Sequence, residues 1–175
     1  LILGIASVLA AIFYTVGKNA YGYRGLGDVF VFVFFGGLGV LGSCFLFTHT
    51  LEWIYVLPTV SIGTLSVAVL NINNMRDIEN DATSNKKTLP VLLGLEFAKT
   101  YHITLLTTAF VCALLFAVLI KILPVFLLAF VPIFLHTKRI VLIQKASAFD
   151  PELKVVAFST FLFSLLFLGT LTLLL

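Results

Sequence analysis

The stretch Thr100-Tyr-His-Ile-Thr-Leu-Leu-Thr-Thr-Ala-Phe-Val-Cys-Ala-Leu-Leu-Phe-Ala-Val-Leu-Ile120 carries no Asp, Glu, Lys or Arg in 21 residues. A helix of about 20 apolar residues crosses the hydrocarbon core of a bilayer. The apolar positions here are continuous and do not alternate, which argues against a strand of a membrane barrel. In lipid the backbone must satisfy its own N–H and C=O groups, so this stretch is read as a spanning helix.

Working outward, five further apolar segments join it, giving 1–16, 29–48, 52–72, 100–120, 122–143 and 155–175. The fold class is therefore all-α, a polytopic membrane helix bundle with six spans. Composition agrees: 61% of the 175 residues are apolar and 11% are charged, and the mean hydropathy is +1.15. A soluble domain holds about 45–50% apolar and about 25% charged residues, so a water-facing globule is excluded. The net charge is +3, and no basic patch interleaved with aromatics suggests nucleic acid. Cys44 and Cys112 lie in apolar runs without metal spacing and are expected as small buried hydrophobes.

The fifth segment is the weakest. Pro124 is expected in a first turn, where its missing N–H costs little, and Pro132 is expected to kink that helix or end it. Glycines cluster at Gly36, Gly37, Gly39 and Gly42. Small residues let helix backbones approach in a membrane, so these are read as packing positions. The chain opens at Leu1 inside an apolar run, and its only methionine is Met75. Residues 1–175 are accordingly expected to be a single transmembrane domain, a fragment with further helices upstream.

The connections differ in kind. Lys18, Arg24, Arg76, Lys86, Lys87, Lys99, Lys138, Arg139, Lys145 and Lys154 fall in the first, third and fifth, and only Lys121 falls in the others. Basic residues mark cytoplasmic loops. The long connections are thus expected in the cytoplasm.

The stretch Asn71-Ile-Asn-Asn-Met-Arg-Asp-Ile-Glu-Asn-Asp81 ends the third segment on that side. On a continuing helix, residues four apart share a face, so Asn73, Asp77 and Asp81 form one polar stripe. Two carboxylates at that spacing repel by a few tenths of a kcal/mol, and folding does not require them. Hard oxygen ligands on an open face suit Mg²⁺, which borrows further ligands from phosphate. Arg76, Lys86 and Lys87 stand beside them. Two acids and three bases at one mouth suit a metal-bridged diphosphate. Thr88 and Pro90 read as the start of a short helix, Thr88 as its N-cap. Tyr14 and Lys18 are four apart and could share a face, although boundary anchors of this kind are common. His49, His102 and His136 each lie near a segment end and are expected at the interface. Glu96 and Lys99 are expected on a solvated helix turn.

These residues resemble the UbiA superfamily of intramembrane prenyltransferases. Asn73-Asn-Met-Arg-Asp77-Ile-Glu-Asn-Asp81 followed by Lys86-Lys-Thr-Leu-Pro-Val-Leu-Leu-Gly94 looks like the second aspartate-rich motif of that family and its following loop. Tyr14-Thr-Val-Gly with Gly22-Tyr-Arg-Gly-Leu-Gly-Asp28 resembles the branch acting on 1,4-dihydroxy-2-naphthoate in menaquinone synthesis. Tyr14 and Lys18 fit a wider Tyr-x-x-x-Lys pattern of the superfamily.

The resemblance implies a nine-helix fold of which six spans are here. It implies Mg²⁺ as cofactor, with Asp77, Asp81 and Asn73 as metal ligands. The partners it implies are a polyprenyl diphosphate, an aromatic acceptor and membrane lipid. Arg76, Lys86 and Lys87 are then expected to hold the diphosphate, and Tyr14, Lys18 and Arg24 to line the same pocket, with the Tyr14 ring facing an allylic cation. The first aspartate-rich motif is expected upstream of Leu1, so the fragment alone is expected to be inactive. The localisation implied is a bacterial inner membrane. An ion-coupled transporter is the alternative, since charges at helix breaks can bind coupling ions. The carboxylates near a loop, away from mid-membrane, argue against it.

Overall fold

The computed structural model describes residues 2–15 and 21–172, and every described element is helical. The described residues form nine α-helices in order. They are α1 (Ile2–Thr15), α2 (Gly27–Val31), α3 (Ser43–Thr48), α4 (Val56–Arg76), α5 (Ile78–Thr83), α6 (Leu89–Leu93), α7 (Leu95–Ile120), α8 (Val131–Ile140) and α9 (Asp150–Thr172). A π-helical segment, Phe32–Gly42, joins α2 to α3. These merge into one helix over Gly27–Thr48.

Among the described residues, four helical stretches are long and apolar enough to cross a membrane: Gly27–Thr48, Trp53–Arg76, Leu95–Ile120 and Ala146–Thr172. They match the second, third, fourth and sixth expected spans. The first is helical for 14 residues in α1. The fifth is broken into a 3-10 segment and a short helix. Pro124 precedes a 3-10 turn, Val125–Phe130, and Pro132 stands in the first turn of α8. Pro132 therefore starts a helix rather than kinking or ending one, because there the N–H it lacks would have had no helical partner.

Helix α4 lies at the centre, packed against α7, the π-helical segment and α9. Small side chains permit this. Ala109, Ala113 and Ala117 recur every four residues along α7 and are all buried. Ser61 of α4 donates to the Ala109 carbonyl at 2.8 Å, and Asn71 Nδ2 donates to the Ala98 carbonyl at 3.0 Å. Such contacts matter because lipid tails supply no hydrophobic drive between helices.

Of the glycine cluster, Gly36 is a packing position between helices. A Cβ there would lie 2.7 Å from the Thr59 carbonyl oxygen and 2.9 Å from Gly63 Cα. Gly37 has open space around it, while Gly39 and Gly42 meet only their own helix. Within the core lies an aromatic cluster. Phe126, Phe130, Phe163 and Phe167 contact one another, with centroid separations from 5.2 to 5.8 Å. Large apolar side chains such as Phe47, Leu123, Phe161 and Leu168 are exposed, as a lipid-facing surface requires. Cys44 and Cys112 are half-buried and unpaired rather than fully buried.

Three corrections concern polar residues. His102 and His136 are fully buried and bonded to each other, Nε2 to Nε2, at 2.8 Å. Pairing offsets the cost of burial and removes any need for an interface. The Lys99 side chain is buried too, with its ammonium on Glu96 at 2.7 Å and on the Val141 carbonyl at 3.4 Å, and only Glu96 faces outward. Thr88 does occupy the N-cap of α6, but its hydroxyl caps nothing and is buried without a partner.

Candidate functional site

The stripe of Asn73, Asp77 and Asp81 is expected on one continuous helix, and the backbone departs from that at one residue. Asp77 adopts φ −96° and ψ 11°, separating α4 from α5. The hydrogen-bond register nevertheless continues. The Asp77 N–H bonds the Asn73 carbonyl at 3.0 Å, and the Asp81 N–H bonds the Asp77 carbonyl at 2.8 Å. The four-residue spacing thus survives a local kink.

Both carboxylates are paired with a cation. Arg76 grips Asp77 with both arms, Nε to Oδ1 and Nη2 to Oδ2, each at 2.8 Å. Its Nη2 also reaches the Asn73 Oδ1 at 2.9 Å. A forked pair of this kind is stronger than a single bond and fixes orientation. Lys86 places its ammonium 3.2 Å from both oxygens of Asp81. Asp81 is nearly enclosed, whereas Asp77 and Arg76 are about 30% exposed at their side chains.

The Arg76 hydrogen bonds hold the Asp77 carboxyl below the ordinary carboxylate range, outweighing partial burial, which acts the other way. A depressed value means the pair adds stability at pH above the unfolded carboxylate's range. That contribution is lost as acid protonates Asp77. Exposure of both partners to water keeps it small.

The site stands where three connections meet. The Lys87 N–H donates to the Tyr23 carbonyl at 3.0 Å, tying the third connection to the first. Gly25, at φ +75°, makes this contact possible, since a Cβ there would lie 2.9 Å from the Lys87 carbonyl oxygen. Only glycine adopts that conformation without strain. Arg76 Nη1 lies 3.5 Å from Asp150 Oδ1, tying the third connection to the fifth. The described parts of the first, third and fifth connections therefore share one end of the bundle.

Of the residues singled out in the sequence, Asn73, Arg76, Asp77, Asp81 and Lys86 are brought together. Lys87 and Arg24 are exposed on the two loops that touch. Tyr14 lies in α1 with its side chain outside the described residues, and Lys18 lies outside them altogether. Asp150 was missed. It opens α9, far along the chain from Arg76, and no local spacing connects the two. A basic residue facing two acids from different segments can be found only once the bundle is assembled.

The donor set can be tested against a divalent cation. Asn73, Asp77 and Asp81 offer only oxygen, the ligand type Mg²⁺ prefers. Among the described residues no group of three or more His, Cys, Asp or Glu is placed to hold a metal. Two carboxylates and an amide fit a partial coordination shell that leaves positions for phosphate oxygens and water.

A 1,4-dihydroxy-2-naphthoate octaprenyltransferase of Haemophilus influenzae is 53% identical over 116 residues, 66% of this chain and 38% of that protein. The Escherichia coli protein of the same description gives the same identity and coverage. That of Bacillus subtilis is 31% identical over 117 residues, 67% of this chain and 36% of that protein. The chain thus spans less than two-fifths of the length of these curated relatives. No solved structure matches it. The UbiA prenyltransferase family matches residues 1–166, nearly the whole chain, and the chain belongs to that family.

Proposed function

We propose that the complete protein containing this chain transfers a polyprenyl group from polyprenyl diphosphate to 1,4-dihydroxy-2-naphthoate, a step of menaquinone synthesis. The observation that carries this reading is the charged end of α4 and α5, where Asp77, Asp81 and Asn73 stand beside Arg76 and Lys86. The relatives described as naphthoate octaprenyltransferases support the choice of acceptor.

Asn73, Asp77 and Asp81 would hold Mg²⁺. When bound, Mg²⁺ neutralises diphosphate charge and eases its departure. In the structure Arg76 and Lys86 occupy the carboxylate oxygens that a metal would need. Their side chains are long and partly exposed, so they can swing from carboxylate to phosphate. Arg76, with its planar fork, suits bidentate contact with a phosphate, while Lys86 and Lys87 act as point charges. These cations stabilise the diphosphate as the C–O bond to the allylic carbon breaks. The aromatic ring then attacks that carbon and loses its carboxylate as CO₂. Tyr14, Lys18 and Arg24 belong to the first connection, which meets the diphosphate loop through the Tyr23–Lys87 contact. We assign Tyr14 to facing the allylic cation, and Lys18 and Arg24 to binding substrate. The isoprenoid tail lies among apolar helices.

We assign the protein to a bacterial inner membrane with this end facing the cytoplasm, a reading supported by the excess of basic residues in these connections. Ser84 is exposed on the same loop. In intact cells, a cysteine introduced by Ser84→Cys is expected to resist a membrane-impermeant maleimide and to react only after lysis. Labelling of intact cells would reverse the assigned orientation. The reaction itself is tested by supplying membranes with polyprenyl diphosphate, 1,4-dihydroxy-2-naphthoate and Mg²⁺. Prenylated naphthoquinol with release of CO₂ is expected. Ion-driven solute uptake without prenyl product would favour a transporter.

A further inference from the structure

Behind the charged site, α7, α8 and α9 are joined by a buried polar chain that the proposed reaction does not use. His136 Nδ1 lies 2.6 Å from Glu152 Oε2, so its N–H donates to that carboxylate. His136 Nε2 is then an acceptor, and the His102 Nε2–H at 2.8 Å donates to it. Glu152 is closed off on its other side by Arg139, Nε to Oε1 at 2.5 Å and Nη2 to Oε2 at 3.0 Å. Both histidines are fully buried and Glu152 nearly so. Each oxygen of Glu152 has a partner, and three hydrogen bonds from two residues of α8 fix its orientation.

Glu152 and Asp150 are two residues apart in the first turn of α9. At about 100° per residue they point to nearly opposite sides of the helix. Glu152 is pinned to α8. Asp150 faces α4, where its Oδ1 lies 3.5 Å from Arg76 Nη1 and its Oδ2 lies 3.3 Å from Lys154. Arg76 is therefore held between two carboxylates. Asp77 takes the Nε and Nη2 edge, and Asp150 takes Nη1. The forked Asp77 contact sets the guanidinium plane, and Asp150 holds the remaining Nη1 edge on the α9 side.

We propose that Asp150 is a positioning residue for Arg76, and that the His102–His136–Glu152 chain sets the place of Asp150 by locking the start of α9. The inference rests on the reading of Arg76 as a diphosphate-binding residue. Its ligand is thus the diphosphate of the allylic substrate, and the aromatic acceptor is not involved.

The test is a double-variant cycle on the complete protein in membranes. Asp150→Asn is expected to raise KM for polyprenyl diphosphate about two- to five-fold, the range of a partly exposed ion pair. It should leave kcat and the acceptor KM unchanged. In an Arg76→Gln background the same substitution should have no further effect, because the residue it positions is gone. An equal effect of Asp150→Asn in both backgrounds, or none in either, overturns the proposal. His136→Ala should reproduce the diphosphate KM rise, and His136→Asn should restore the normal value by offering an amide N–H to Glu152. If both His136 variants raise KM for both substrates alike, the chain is structural only and the proposal falls. Failure of the site reading looks different, since Asp77→Ala would then retain turnover.

Discussion

Replacing Asp77 or Asp81 with alanine is expected to lower prenyl transfer by about 10²–10³-fold, the loss typical of one preorganised electrostatic partner. Product formation in membranes carrying the complete protein is the measurement. The two variants should differ in their effect on the folded protein. Asp77 is partly exposed and its cation Arg76 keeps Asp150 as a second partner, so Asp77→Ala should fold normally. Asp81 is nearly enclosed under Lys86. Its loss leaves an ammonium with less compensation, and Asp81→Asn is the gentler form of the test. Turnover near wild type in either variant would remove the metal-site assignment.

The second large effect concerns helix packing. A Cβ at Gly63 would lie 2.7 and 2.8 Å from two ring atoms of Phe32, and Gly36 Cα stands 3.3 Å away on the same helix. Gly63→Val therefore forces the Gly27–Thr48 helix away from α4. Overpacking of a tight core costs about 1–3 kcal/mol and sometimes more. Thermal unfolding of the complete protein in detergent is expected at a lower temperature for Gly63→Val. The companion change Phe32→Ala should recover part of the loss, because it removes the atoms that clash with the new Cβ. Equal melting of Gly63→Val and wild type would mean that the two helices do not meet there.

The same two features show what the sequence makes legible. The spans were readable because lipid imposes a local rule: apolar residues in long uninterrupted runs. The core of the site was readable because its members are near neighbours in the chain. Asp77 follows Arg76, Asn73 lies one turn back, and Lys86 lies five residues past Asp81. The grouping of the basic connections at one end was readable from charge asymmetry alone, as the Tyr23–Lys87 and Arg76–Asp150 contacts bear out.

What escaped was non-local. His102 and His136 are 34 residues apart and meet only because α7 and α8 pack side by side. Read singly, each resembles an interfacial histidine. An ionisable group in an apolar run is a signal in its own right, since it needs a partner there, and His102 carried that signal. Lys99 looked solvated because its helix partner Glu96 is, whereas the carbonyl of Val141 that helps bury it comes from the end of α8. The kink at Asp77 left no mark in the sequence because the i, i+4 hydrogen bonds run through it.

The central claim is that Asp77 and Asp81 bind a diphosphate through a divalent cation. Calorimetric titration of the complete protein with a non-reactive polyprenyl thiolodiphosphate tests it without any turnover. Binding is expected with Mg²⁺ present, with loss of the metal-dependent part in Asp77→Asn and in Asp81→Asn. Equal binding with and without Mg²⁺, unchanged in both variants, would contradict it.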